Sequence, residues 1–241
     1  MTHDIKATIS NATSLLTEAK VSSPQVDAEL LLAHVLGVER TQLITISQIS
    51  DEQFSDFNDL VARRANRVPL QHLTGVAFFR HLELAVGPGV FVPRPETELL
   101  VEAAIKHLKT ASSPRIAVDL CAGSGAIALS LALEVPGTTV HAVELSDDAF
   151  KWLTHNVVDH AAKLEAVDSH VIVHHGNAGD QSLLIELSNQ VDALVSNPPY
   201  IPSEMIPRDP EARDHDPAIA LLVAWMASTL PAKLLWSLQI C

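Results

Sequence analysis

The chain is poor in cysteine: Cys121 and Cys241 are its only two in 241 residues. That is too few for a disulfide framework and points to a reducing cytosol. Basic residues are also scarce, 16 Lys and Arg against 29 Asp and Glu, for a net charge of −13. A surface this acidic has no general attraction for polyphosphate, which argues against a nucleic-acid-coating protein. The N-terminus, MTHDIKATIS, lacks the basic-then-apolar pattern of a secretory signal. The apolar stretch LVAWMASTLPAKLLWSLQIC at 222–241 is interrupted by Pro231 and Lys233 and is short for a membrane span. Apolar residues make up 47% of the chain, which excludes disorder as the main state and suffices for one large or two modest cores.

Residues 1–70 read as helices. Ser23-Pro24 is a start signal, since proline at the first helical position gives up no needed N–H, and Gly37 is a natural stop. Val26, Leu30, Leu31, Val35 and Leu36 lie near helical spacing between them. A second helix opens near Asp51, carries Phe54, Phe57, Leu60 and Val61 on one stripe, and is expected to run to Pro69. Arg63, Arg64 and Arg67 read as a solvated helix face. Period-two apolar residues at Leu82, Leu84 and Val86, broken by Gly87-Pro88-Gly89, predict a hairpin between two domains. Pro95-Glu96-Thr97-Glu98 then opens an amphipathic helix to about Leu108.

From 114 to 200 apolar strands alternate with helices. Strands are expected at 116–120, 140–145, 171–174 and 193–196, and helices at 125–134 and from Asp147. That alternation predicts a parallel sheet covered on both faces, with ligands beyond the carboxyl ends of its strands. The glycine turn Cys121–Gly125, Glu144, Asn177 and Asn197 all fall at such ends.

Asp119-Leu-Cys-Ala-Gly123-Ser-Gly125 runs a strand through a tight turn into a helix. Glu144, ending the next strand, is placed to accept ribose hydroxyl protons. The third glycine of a dinucleotide fingerprint is missing, since position 128 is Ala, and Cys121 stands where the first would be. A nucleoside carrying a small charged group therefore fits better than a pyrophosphate. Asn197-Pro198-Pro199-Tyr200 follows an apolar strand. Two prolines fix the backbone and remove two donors, leaving carbonyls to accept. An Asn side chain with the next carbonyl can hold both hydrogens of an –NH₂ group, and Tyr200 can stack on a flat amide or base. His170, His174 and His175 have no cysteine or carboxylate at ligand spacing, so no metal is expected.

Together RVPLQHLTG (67–75), FVPRPETE (91–98), Asp119–Leu129, VSNPPYI (195–201) and HDPAIAL (215–221) resemble one family. It is the class I S-adenosylmethionine-dependent methyltransferases, and within them the protein N5-glutamine methyltransferases of the HemK/PrmC group. The resemblance implies an α/β fold: a Rossmann-like sheet with an N-terminal helical domain. The expected layout is a release-factor-docking domain at 1–73, a hairpin linker at 74–94 and the methyltransferase domain at 95–241. It implies methyl transfer from S-adenosyl-L-methionine to a glutamine amide nitrogen in class I peptide chain release factors, by a cytoplasmic and monomeric enzyme with no stable nucleic-acid or membrane binding.

By the same resemblance Asp119, Cys121, Ala122, Gly123, Ser124, Gly125, Glu144, Asn177, Ala178 and Asn197 bind the cofactor. Asn197, Pro198, Pro199 and Tyr200 form the catalytic set and, with Phe91 and Pro93, hold the substrate. Asn177 and Ala178 depart from the family's acidic and aromatic residues near the adenine. After Leu221 the resemblance stops, and 20 residues remain. Reading their bases two positions on, with one choice of codons, gives Gly-Gly-Val-Asp-Gly, similar to the family's continuation. A frameshift near 221, a foreign tail and missing C-terminal strands are therefore expected. Two other readings stay open: an amino-group DNA methyltransferase, since Asn-Pro-Pro-Tyr also suits the exocyclic amines of flipped bases, and an inactive binding protein.

Overall fold

The computed structural model describes residues 1–180, 182–198, 201–202, 210–215, 217 and 222–223. The expected foreign tail lies almost wholly outside them. Two compact units emerge, one of Met1–Gly75 with the short helix Pro210–His215, the other beginning at Val76.

In the first unit a two-stranded ribbon, β1 (Thr2–Asp4) against β2 (Gln48–Ser50), brackets two helices. Asp4 caps α1 (Ile5–Glu18) by accepting the Ala7 N–H at 2.8 Å. Pro24 opens α2 (Pro24–Leu36), and Gly37 at φ +64° closes it in the left-handed conformation. A capping box of Ser50 and Gln53 starts α3 (Asp51–Ala65). This helix stops at Ala65, short of Pro69, which instead precedes α4 (Leu70–Thr74). Leu16, Leu31, Leu32 and Phe57 are wholly buried at the centre.

The buried face of α2 is rotated from the expected stripe. It carries Asp27, Ala28, Leu31 and Leu32, while Val26 is exposed. That face buries an ion pair. Asp27 turns inward to Arg64 of α3, whose Nε lies 2.7 Å from its carboxylate. Arg64 is itself buried; it also donates to the Val68 carbonyl at 3.1 Å and to Glu211 at 2.8 Å. Arg67 reaches the same Glu211 oxygen at 3.0 Å. The solvated-face reading thus holds for exposed Arg63 and fails for Arg64 and Arg67, which Glu211 and Asp27 draw in.

The second unit begins with the hairpin β3 (Val76–Phe79) and β4 (Leu82–Ala85), paired antiparallel with Phe79 opposite Leu82. Its turn is Arg80-His81, not the Gly87–Gly89 break. Arg80 grips Glu134 through two bonds of 2.6 Å and Glu102 at 3.1 Å, while its backbone N–H donates to Glu98 at 3.1 Å. Next come α5 (Thr97–Leu108), β5 (Arg115–Leu120), α6 (Ala126–Glu134), β6 (Thr138–Glu144), α7 (Asp147–Asp159), α8 (Ala161–Ala166), β7 (His170–His175) and β8 (Ala193–Ser196).

The four strands β5–β8 form one parallel sheet in the order β7-β6-β5-β8. Ala117, Val140 and Ala142 join one core with Leu129 and Leu131 of α6, while Val118, Leu120, Val143 and Leu194 face Leu187 in another. Both faces of β5, β6 and β8 are largely apolar, which is why these strands read as continuous runs, whereas the edge strand β7 packs only its Val171 and Val173 face. Further on, β9 (Ile201–Pro202) pairs in parallel with β10 (Leu222–Val223).

Candidate active site

β5 pairs with both β6 and β8, so the carboxyl ends of three strands lie side by side. Leu120 is opposite Val143 on one side and Ser196 on the other. The turn after β5, Glu144 at the end of β6 and Asn197 just after β8 therefore share one sheet edge.

The turn is built from left-handed residues: Cys121 at φ +64°, Gly123 at +57° and Gly125 at +87°. Gly125 closes it, donating to the Ala122 carbonyl at 2.8 Å; an added Cβ there would stand 2.8 Å from Leu153 Cδ1. Gly123 is different, because an added Cβ would meet nothing within 4 Å. Its bare side faces open space that a ligand can enter. Burial, then the nearby Glu144 and Asp119 charges, push the Cys121 thiol up to about 12, and the Ser196 hydroxyl is in contact with it. At neutral pH this thiol is not a nucleophile. Ala122 and Ser124 are buried beneath the turn.

Glu144 ties the edge together. One carboxylate oxygen accepts the Gly123 N–H at 2.8 Å; the other accepts those of Leu145 at 2.9 Å and Ser146 at 2.8 Å. A carboxylate has about four acceptor positions, so one remains for an incoming hydroxyl. Asp119 is fully buried at the end of β5 and accepts the Ala128 N–H at 3.1 Å through Oδ2. Its Oδ1 finds no hydrogen-bond partner among the described residues. Burial drives its carboxyl up to about 8; the Ala128 hydrogen bond opposes this and Glu144 adds to it.

Asn177 is exposed after β7, and its Oδ1 accepts the Gly179 N–H at 2.7 Å. Ala178 packs against the cluster of Leu120 and Leu187. Asn197 is half-buried, and its Nδ2 donates to the Thr97 hydroxyl at 3.3 Å. Pro198 is half-buried beside it, whereas Pro199 and Tyr200 lie outside the described residues. Phe91 and Pro93 are half-buried on the strip after the hairpin, with the Arg94 guanidinium 4.9 Å above the Phe91 ring centre. Among the histidines, His174 pairs with His141 at 2.9 Å and His175 stacks on Phe150. No group of three potential metal ligands gathers among the described residues.

Sequence reasoning assigned no role to Thr97 or Asn156. Asn156 of α7 is buried; it donates to the carbonyls of Ala85 and Ser124, both at 2.9 Å, and accepts the Ala85 N–H at 2.8 Å. It thus joins the end of the hairpin to the glycine turn. Thr97 sits inside the PRPET segment, which was its only signal. Asn156 had none.

A parallel sheet of this order, with a glycine turn after β5 and a carboxylate ending β6, is a Rossmann-like frame for a nucleoside ligand, and the family match over 82–206 makes it a class I S-adenosylmethionine-dependent methyltransferase domain. Two family descriptions match: "PrmC N-terminal domain" over residues 7–75 and "Methyltransferase small domain" over 82–206. The chain is 50% identical over 218 residues to the release factor glutamine methyltransferase of Streptomyces coelicolor, covering 89% of this chain and 73% of that one. It is 43% identical over 228 residues to that of Bifidobacterium longum, covering 92% and 78%. The Mycolicibacterium smegmatis protein of the same name is 47% identical over 219 residues, covering 90% and 73%. The chain belongs to the release factor glutamine methyltransferase family.

The residues fit the donor this class uses. The open side of Gly123 admits a ligand chain, and the spare acceptor of Glu144 suits a ribose hydroxyl. Among the described residues no helix is long and apolar enough to cross a membrane.

Proposed function

We propose that this protein methylates the side-chain amide nitrogen of a glutamine in class I peptide chain release factors, the substrate named for its relatives. The observation that carries this reading is the place of Asn197. It follows directly on Ser196, which lies opposite Leu120, so its carboxamide and the Cys121–Gly125 turn stand at adjacent strand ends. The methyl donor is S-adenosyl-L-methionine, held by the turn and by Glu144, with Asn177 and Ala178 on the adenine side and Asp119 beneath. Residues 1–73 dock the factor, the hairpin of 74–94 links, and the rest carries out the transfer. The enzyme acts as a cytoplasmic monomer in translation termination, binding neither nucleic acid nor membrane stably.

An amide nitrogen is a weak nucleophile because its lone pair is delocalised into the carbonyl. The cofactor, when bound, supplies a methyl group activated by its positive sulfur. The chain's own task is orientation. Asn197 Oδ1 and the Pro198 carbonyl accept the two amide N–H bonds and turn the lone pair toward the donor. Pro198 and Pro199 lack N–H groups and cannot compete for those acceptors. Tyr200 packs on the amide plane, and Phe91 and Pro93 wall the pocket. An N-alkylated amide cation is strongly acidic and gives its proton to water, so no general base is needed.

A labelled-methyl assay offering release factor and duplex DNA side by side tests the reading. Label is expected in the factor, and Asn197→Ala should abolish it. Label in DNA alone would make the chain an amino-group DNA methyltransferase. Label in neither would make it an inactive binding protein.

A further inference from the structure

Asn197 can serve as an acceptor only if its carboxamide points the right way round. The two ends are nearly equal in size, so packing alone does not choose between them. A bonded neighbour limits how freely the group turns. The Thr97 hydroxyl lies 3.3 Å from Asn197 Nδ2, joining residues 100 positions apart. In this rotamer one Nδ2 hydrogen goes to Thr97 Oγ1, and Oδ1 is left for a substrate. Flipped by 180°, the side chain would aim its N–H groups at the N–H groups of the amide.

Thr97 is itself well anchored. It is the first residue of α5, and its own N–H donates to the Arg94 carbonyl at 3.0 Å. The next residue, Glu98, accepts the Arg80 N–H, and the Arg80 guanidinium is locked on Glu134 and Glu102. The hairpin turn thus pins the first turn of the helix that offers the hydroxyl. We propose that Thr97 is a positioning residue for methyl transfer, restraining the rotation of the Asn197 carboxamide that receives the target amide. The inference rests on the glutamine-methylation reading above and gives the PRPET segment a task in it.

The test compares Thr97→Val, which keeps the shape and removes the hydroxyl, with Thr97→Ser, which keeps the hydroxyl and removes the methyl. Three quantities are measured on each full chain: kcat and KM for the release factor, and the melting shift induced by S-adenosylmethionine. T97V should lose on the order of tenfold in kcat, about what one net hydrogen bond supplies, with the cofactor-induced shift unchanged. T97S should recover most of that loss. A T97V enzyme with wild-type kcat would overturn the proposal, as would a T97S enzyme as slow as T97V, because the methyl packing would then be what mattered. A wild-type chain that binds the cofactor yet leaves the factor unlabelled would instead sink the functional reading, and this inference with it.

Discussion

Replacing Asp119 by Asn should change how stability depends on pH. Asp119 is sealed at the end of β5, and its carboxyl is raised from 3.8 to about 8, chiefly by burial. The folded chain therefore holds a proton there across an interval in which the unfolded chain has lost it. A raised carboxyl contributes stability that is complete below pH 3.8, declines from there, and is gone above about pH 8. The slope is about 1.4 kcal/mol per pH unit, so between pH 5 and 7.5 the loss is on the order of 3 kcal/mol. Asn has nearly the same shape, can accept the Ala128 N–H, and does not titrate. Urea midpoints of the cofactor-free proteins, measured at half-unit steps from pH 5 to 8, give the difference between the two chains. Titrating groups that Asp119 does not feel cancel in that difference. Wild type should lose stability relative to Asp119→Asn as pH rises. Parallel profiles would show that Asp119 ionises normally and that its surroundings are wetter than the burial implies.

Arg64→Leu should destabilise the helical unit by about 3–5 kcal/mol, because it leaves Asp27 buried without its cation; a urea transition within 1 kcal/mol of wild type would refute the buried pairing. Gly123→Ala should lower stability by only about 1 kcal/mol, the strain of a left-handed alanine. Its Cβ would nevertheless occupy the open side of the turn, so cofactor affinity measured by calorimetry should fall at least about tenfold, and an unchanged Kd would show that the turn does not cradle the ligand. By contrast Gly125→Ala drives a Cβ to 2.8 Å from Leu153 Cδ1 and should lower the melting temperature more than Gly123→Ala does.

The sheet was legible because burial on both faces writes itself locally. The expected runs 116–120, 140–145, 171–174 and 193–196 each fall on one of β5–β8, within two residues at the ends. Glu144 and Asn197 were legible for the same reason, as polar residues that end such runs. What escaped was pairing over distance. Asp27 and Arg64 are 37 residues apart, Arg64 and Glu211 are 147 apart, and no local pattern marks either pair. Those pairings place Asp27 on the buried face of α2 and two expected surface arginines inside. Thr97 lay in plain view within PRPET, yet its link to Asn197 exists only once α5 and β8 have folded. Asn156 is one polar residue on an amphipathic helix, and only the approach of Ala85 and Ser124 reveals its purpose.

Glu211 has a practical consequence for anyone who divides this protein. It accepts bonds from Arg64 and Arg67 although 147 and 144 positions separate it from them in the chain. A recombinant fragment cut after Gly75 would thus lose a counter-ion that its own helices require. A fragment that also carries 210–215, fused back by a short linker, would keep that counter-ion.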